Sequence, residues 1–245
     1  MNDWCVGLTG DEFDLEELPK LFSTSKVEIV EDNGSYSLQS RDFDSLTDPH
    51  EVRLRAIDLI DRVNGAARLA FPGFKPVSIS YVQRQEDEHI EISVWSESSA
   101  VSRAKATVVV KSATGAPKEV QSRPLDSWLQ LSTNNKSVEK LLRLLSHGAL
   151  DWDRLHKLLE VVQEGGGASI IGSGDVTKAE LGRFTQTANS FGALTYNARH
   201  AHEKVPPPPK PMALEEARAL ILRLARCWLK RIGEQEGEDP RNSPD

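Results

Sequence analysis

The chain has 245 residues, of which 38% are hydrophobic and 27% charged, the composition of a folded globular protein. Its net charge of −7 excludes a wholly basic nucleic-acid coat protein, although it allows a local basic face. The start of the chain lacks the basic and apolar regions of a signal peptide, and no run approaches the roughly 20 apolar residues that cross a bilayer. We therefore expect a cytoplasmic protein that has no membrane partner.

Charge is divided unevenly along the chain. Residues 1–51 carry thirteen acidic and three basic side chains, a net charge of −10, whereas residues 178–230 carry nine basic and four acidic side chains, a net charge of +5. This asymmetry indicates two modules. Their charges serve solubility or mutual attraction in one interpretation, and in the other the basic surface meets an anionic partner.

Residues 1–111 are predicted to form an α+β module that begins with a β-hairpin and a helix. Asn33-Gly34 separates two short alternating stretches, and this pair tolerates the positive φ of a tight hairpin turn. Asp48, Pro49 and Glu51 have the pattern of a helix start, with Asp48 as the N-cap. Asn64-Gly65 is the predicted end of that helix.

Further strands are expected in the rest of this module. The stretches 77–82, 90–95 and 103–111 alternate or carry β-branched residues, which is typical of strands. Together with the hairpin they predict a small antiparallel sheet with helices, an α+β layer. Residues 112–136 contain glycine and prolines and are the predicted linker.

Residues 137–230 are predicted to form a mainly helical, bundle-like module with four principal helices. Thr177 and Glu180 have the spacing of a capping box, and Pro206 to Pro209 must be extended because each ring fixes φ. In the last helix an apolar stripe that includes Trp228 is predicted to be core. Residues 231–245 are the predicted disordered acidic tail.

No cofactor or metal site is predicted. The chain has two cysteines, Cys5 and Cys227, at opposite ends, and two isolated thiols make no zinc site. A disulfide is not expected in a reducing compartment.

The densest polar cluster is the stretch 196–204, which contains Arg199, His200 and His202. Two histidines beside cations are able to supply proton transfer near neutral pH and charge stabilisation for a phosphate transition state. The alternative is structural, in which these side chains bind the backbone around the turn that leads into the prolines. As metal ligands the two histidines would point apart on a helix, so only a strand or loop would bring them to one ion.

Several segments resemble the signature of a widespread, uncharacterised bacterial protein family. They are Arg183 to Ser190, Ala198-Arg199-His200, the PPPPKPMALEEA stretch that ends at Ala217, and Cys227-Trp228-Leu229; Gly10 to Pro19 and Asp48 to Val52 belong to the same resemblance. It covers nearly the whole chain and implies a bacterial origin, without implying an activity.

A looser similarity links the polar cluster to HEPN ribonuclease domains, which are helical bundles that carry an Arg and a His about one helical turn apart and act as dimers. Here Arg199 and His202 are three residues apart. The resemblance implies metal-independent RNA cleavage, with His202 as the general acid or base and Arg199 stabilising the charge of the phosphorane.

Two hypotheses of function follow. The first is a non-catalytic interaction module whose basic C-terminal face binds a protein partner or a polyanion such as RNA. Its predicted binding residues are Arg199, His200, Arg218, Arg223 and Arg226. The alternative is a HEPN-like, metal-independent ribonuclease whose catalytic residues are Arg199 and His202, and a homodimer is expected with it.

Overall fold

The computed structural model describes residues 4–22, 26–86, 89–94, 123–172 and 174–237. The strands are β1 (Trp4–Thr9), β2 (Val27–Asp32), β3 (Ser35–Ser40), β4 (Ser78–Glu86) and β5 (His89–Val94). The helices are α1 (Glu12–Leu21), α2 (Pro49–Ala70), α3 (Arg123–Asn134), α4 (Lys136–Ser146), α5 (Trp152–Glu164), α6 (Lys178–Asn189), α7 (Phe191–Leu194) and α8 (Leu214–Gly237). The predicted α+β class is confirmed.

The chain divides into two compact units. One comprises residues 1–57 and 77–124, and the other residues 58–76 and 125–245. Within the described residues, no helix is both long enough and apolar enough to cross a membrane.

The first unit is built on an antiparallel sheet with the strand order β2-β3-β1-β4-β5. With α1 after β1 and α2 after β3, the first four strands have the order of a split βαβ topology. The strands predicted over 77–82 and 90–95 correspond to β4 and β5, and the strand predicted over 103–111 lies outside the described residues.

The predicted hairpin joins β2 to β3. Asn33 and Gly34 have φ values of 50° and 78°, the left-handed pair that a two-residue hairpin turn requires. The Gly34 amide also donates to Glu31 Oε1 at 2.8 Å. Local sequence therefore sets this turn and, through it, the register of Val27 opposite Ser40.

Helix α2 begins as predicted but ends later. The His50 amide donates to the Asp48 carboxylate at 2.9 Å, which is N-cap geometry. The predicted end at Asn64-Gly65 is wrong, because the helix continues to Ala70. Gly65 instead permits close packing: a Cβ there would lie 2.0 Å from the Leu142 carbonyl oxygen of α4.

The second unit is helical, and α4, α5, α6 and α8 are its principal helices after residue 136. Helix α3 occupies part of the range predicted as linker, since Leu125, Trp128 and Leu129 are buried. Helix α8 continues past residue 230 to Gly237, and Ile232 in this extension is buried. The beginning of the predicted tail is therefore helical, and residues 238–245 lie outside the described residues.

Two local predictions in this unit are confirmed. The capping box is present, with the Glu180 amide donating to Thr177 Oγ1 and the Thr177 amide donating to Glu180 Oε2. Trp228 is 1% exposed, and its indole N–H donates to the Gly165 carbonyl at 3.0 Å. The cysteines are both free.

Candidate functional site

The predicted polar cluster lies in the connection between α6 and α8. We call residues 195–204 the 195–204 loop. It starts at Thr195, whose φ of 51° and ψ of −126° place a β-branched residue in a conformation that it rarely adopts. Such backbone strain persists only where the surroundings hold it, and the contacts of Arg199 provide part of that restraint.

Arg199 anchors the loop to two helices. Its backbone amide donates to the Ala188 carbonyl at the end of α6, at 2.9 Å. Its guanidinium donates from Nη2 to Glu160 Oε1 at 2.8 Å and lies, through Nη1, 3.2 Å from His156 Nε2. Both partners belong to α5. The guanidinium therefore serves an intramolecular contact that holds the loop against the bundle.

His156 is the buried member of this cluster. His156 is 8% exposed. Its imidazole lies beside the ring of Phe184, and the two ring centroids are 6.2 Å apart. An arginine N–H facing Nε2 requires that nitrogen to accept, so the network assigns the proton to Nδ1. Nδ1 lies 3.2 Å from Glu160 Oε1, but without hydrogen-bond geometry.

Burial, and then the positive charge of Arg199, lower the pKa of His156, and Glu160 opposes this shift. The imidazole is therefore held neutral at neutral pH. A neutral His beside an Arg and a Glu is able to accept a proton, and it is equally a core residue that completes the anchor of Arg199.

We expect the protonation of His156 to destabilise the fold in acid. Because the folded-state pKa lies below the ordinary value of 6.5, the unfolded chain binds more protons below that value, and stability is lost as pH falls through it. Urea unfolding at pH 7 and pH 5 measures this loss. The His156→Gln variant should lose less between the two pH values than the wild type, and equal losses would contradict the assignment.

The two histidines of the loop are arranged differently. His200 and His202 stack on each other, with ring centroids 5.2 Å apart and an interplanar angle of 11°, and both are exposed. Tyr196 is 94% exposed and meets Phe191 edge to face at 5.9 Å. Arg199 is thus brought to His156, and its guanidinium contacts in the described chain do not include His202.

The proline segment that follows the loop is also tied down. Gln186 Nε2 donates to the Pro206 carbonyl at 3.0 Å. Arg183 donates to the Lys210 carbonyl at 2.7 Å and forms an ion pair with Glu216 at 2.6 Å. The Met212 amide donates to Thr187 Oγ1. Side chains of α6 therefore satisfy a backbone that, being proline-rich, forms few hydrogen bonds of its own.

The predicted binding arginines of α8 all contact internal acceptors. Arg218 Nε donates to the Leu150 carbonyl at 2.8 Å, and its Nη1 meets Glu215. Arg223 forms an ion pair with Glu180 at 2.6 Å. Arg226 donates to the Leu69 carbonyl at 2.8 Å. The structure therefore brings Arg199 and His200 into one loop and places the other three arginines separately along α8.

Sequence reasoning missed His156 and Glu160. Their separation of four residues puts them on one face of a helix, but nothing in that pattern points to Arg199, which is 43 residues further along the chain. In the part of the chain that the structure describes, no group of three His, Cys, Asp or Glu side chains is arranged to hold a metal ion.

No protein-family model, no curated protein and no solved structure matches the chain.

Proposed function

We propose that the protein is a non-catalytic interaction module and that the 195–204 loop binds an anionic partner. The observation that carries this proposal is the 94% exposure of Tyr196 on a loop that Arg199 anchors to α5 and α6. A large aromatic side chain that is excluded from the core but held on an anchored loop is typical of a contact residue.

The charge of the surrounding chain supports an anionic partner. Residues 178–230 have a net charge of +5, and Lys204 in the loop is exposed. The stacked imidazoles of His200 and His202 offer N–H donors. Because the arginines of α8 contact internal acceptors, the outward-facing cations of this basic segment are its lysines, and Lys204 is the one in the loop.

Heparin, a sulfated polyanion, is a suitable probe for this proposal. We expect the double variant Tyr196→Ala, Lys204→Glu to bind heparin about tenfold more weakly at low salt, with a shallower salt dependence, because fewer counterions are released. Fluorescence anisotropy with labelled heparin measures both quantities. Lys230→Glu on α8 is the control, since it reverses a side chain that is 79% exposed outside the loop.

Two results would count against this proposal. One is that the wild type does not bind heparin at low salt. The other is that the loop variant binds heparin as well as the Lys230→Glu control does. In either case the exposed loop would have no role in anion binding.

A metal-independent ribonuclease is the second candidate, and one observation favours it. The guanidinium of Arg199 lies 3.2 Å from a neutral, buried His156, and such a pair is able to combine general acid or base chemistry with charge stabilisation. The resemblance to HEPN domains assigned the proton-transfer role to His202. The geometry makes His156 an additional candidate for the same role.

Incubation with labelled RNA in the presence of EDTA tests this candidate. Cleavage lost in His202→Ala would support the assignment from the resemblance, and cleavage lost in His156→Ala with His202→Ala active would support the buried pair. If the wild type cleaves no RNA, the ribonuclease candidate fails while the interaction module stands.

A further inference from the structure

A cleft of about 540 Å³ opens on the polar face of α4, and we call it the α4 cleft. Five of its seven lining residues are basic. The lining side chains are Lys136, Glu139, Lys140, Arg143, His147 and Arg154, and Leu144 is the remaining residue. This volume lies in the range of small-molecule sites, and none of the lining residues takes part in the 195–204 loop.

The spacing of the basic residues explains why they share one face. Lys136, Lys140, Arg143 and His147 follow one another at intervals of four, three and four, so they form a row along one side of a helix. The apolar residues of α4 occupy the opposite face, where Val138, Leu141, Leu142 and Leu145 are buried. The amphipathic pattern that packs α4 into the bundle therefore also directs the cations outward.

Acidic side chains pair with three of the five basic residues that line the α4 cleft. Arg143 is paired with Asp58 and Glu139, and His147 Nε2 lies 2.6 Å from Asp61. Lys140 lies 3.7 Å from Glu164, and both side chains are mostly exposed, so the pair is weak. Lys136 has no ion pair with any side chain in the described part of the chain.

Three arginines add positive charge at the turn between α4 and α5. Arg154 donates to the Leu144 carbonyl at 3.0 Å and to the His147 carbonyl. Arg68 donates to the Leu145 carbonyl at 2.7 Å. Arg218 donates to the Leu150 carbonyl. Carbonyls at a helix C-terminus carry only partial negative charge. The carbonyls at the end of α4 orient Arg68 and Arg154 without neutralising them, whereas Arg218 is also paired with Glu215.

The arginines are close enough to affect one another. The pKa of Arg68 is lowered, first by burial and then by the positive charges of Arg154 and Arg218. Its buried Nε has no hydrogen-bond partner in the described structure. Arg154 lines the α4 cleft, and the two other guanidinium groups add positive charge behind it.

We propose that the α4 cleft binds a small, multiply phosphorylated ligand that has no aromatic ring, such as a polyphosphate chain or a sugar bisphosphate. Lys136 and Lys140 are one helical turn apart and contact successive phosphoryl groups. Arg143 and Arg154 supply planar donors that match phosphate oxygens. The lining contains no Phe, Tyr or Trp side chain, and the imidazole of His147 is held by Asp61, so the cleft favours phosphoryl groups over a nucleobase.

Titration calorimetry with sodium tripolyphosphate tests the proposal on the full chain. We expect the double variant Lys136→Gln, Lys140→Gln to bind at least about tenfold more weakly than the wild type, because two direct phosphate contacts are lost. Lys157→Gln, Lys230→Gln is the matched control. It removes two exposed lysines that, like Lys140, face an acidic side chain but do not line the cleft, and it should bind as the wild type does.

A sugar bisphosphate titrated in parallel identifies the source of the phosphoryl groups. The compound that binds more tightly identifies the preferred ligand. The site is supported if the affinity for that compound falls when Lys136 and Lys140 are replaced. Glutamine has a helix propensity close to that of lysine, so the variants should keep their melting temperature, and this separates ligand contact from misfolding. The proposal is overturned if the wild type binds neither compound, or if the cleft variant binds as tightly as the control.

Discussion

Replacing Trp228 with alanine should destabilise the protein by about 3–5 kcal/mol, the usual cost of removing a fully buried aromatic side chain. The ring is 1% exposed and packs against the 165–167 turn, where a Cβ at Gly165 would lie 2.4 Å from the indole ring and one at Gly167 3.1 Å from it. The substitution also removes the indole N–H that donates to the Gly165 carbonyl at 3.0 Å. A loss of this size is a large part of the roughly 5–15 kcal/mol that stabilises a typical domain.

Chemical denaturation followed by circular dichroism measures this loss. Lys230→Ala, on the same helix and 79% exposed, should change stability by less than about 0.5 kcal/mol. Trp228→Phe should fall between the two, since it retains a buried ring without the hydrogen bond. If the Trp228→Ala variant has the same free energy of unfolding as the wild type, this ring contributes nothing to the stability of the core.

The second large effect is expected at Gly65, where alanine should cost about 2–3 kcal/mol. Alanine normally stabilises a helix relative to glycine, but here its Cβ would lie 2.0 Å from the Leu142 carbonyl oxygen and 2.8 Å from the Leu142 Cα. These are backbone atoms of α4, so the conflict cannot be relieved by turning a side chain. The two helices must separate, and the packing around them loosens.

Gly182→Ala is the matched control for this prediction. Gly182 lies within α6, and a Cβ added there would meet nothing within 4 Å. The substitution should therefore stabilise the protein by about 0.5–1 kcal/mol through helix propensity. Opposite signs for the two substitutions are expected in the same denaturation experiment. Stabilisation by Gly65→Ala would refute the close approach of α2 and α4.

Features that depend on neighbouring residues were predictable from sequence. The turn at Asn33-Gly34 and the capping box of Thr177 and Glu180 are set by backbone preferences and by contacts three residues apart or fewer. The burial of Trp228 followed from an apolar stripe at helical spacing. In each case one segment of chain contains all the information needed.

The end of α2 was misjudged because a glycine has two different meanings. Asn64-Gly65 is a common helix stop, but glycine is also used where another backbone approaches closely. The choice depends on α4, which lies more than seventy residues further along the chain. Helix α3 was likewise assigned to a linker, because its flanking residues contain the glycine and prolines of a boundary.

The candidate sites divide in the same way. The sequence by itself determined that residues 196–204 are polar and basic and that the cations of α4 share one face, because composition and helical period are local properties. Only the tertiary structure decided that Arg199 meets His156 and Glu160 instead of His202, and that Arg68, Arg154 and Arg218 converge on one turn. A guanidinium group binds whichever acceptor the packing of helices brings within about 3 Å, and residues that are distant in sequence become neighbours only through that packing.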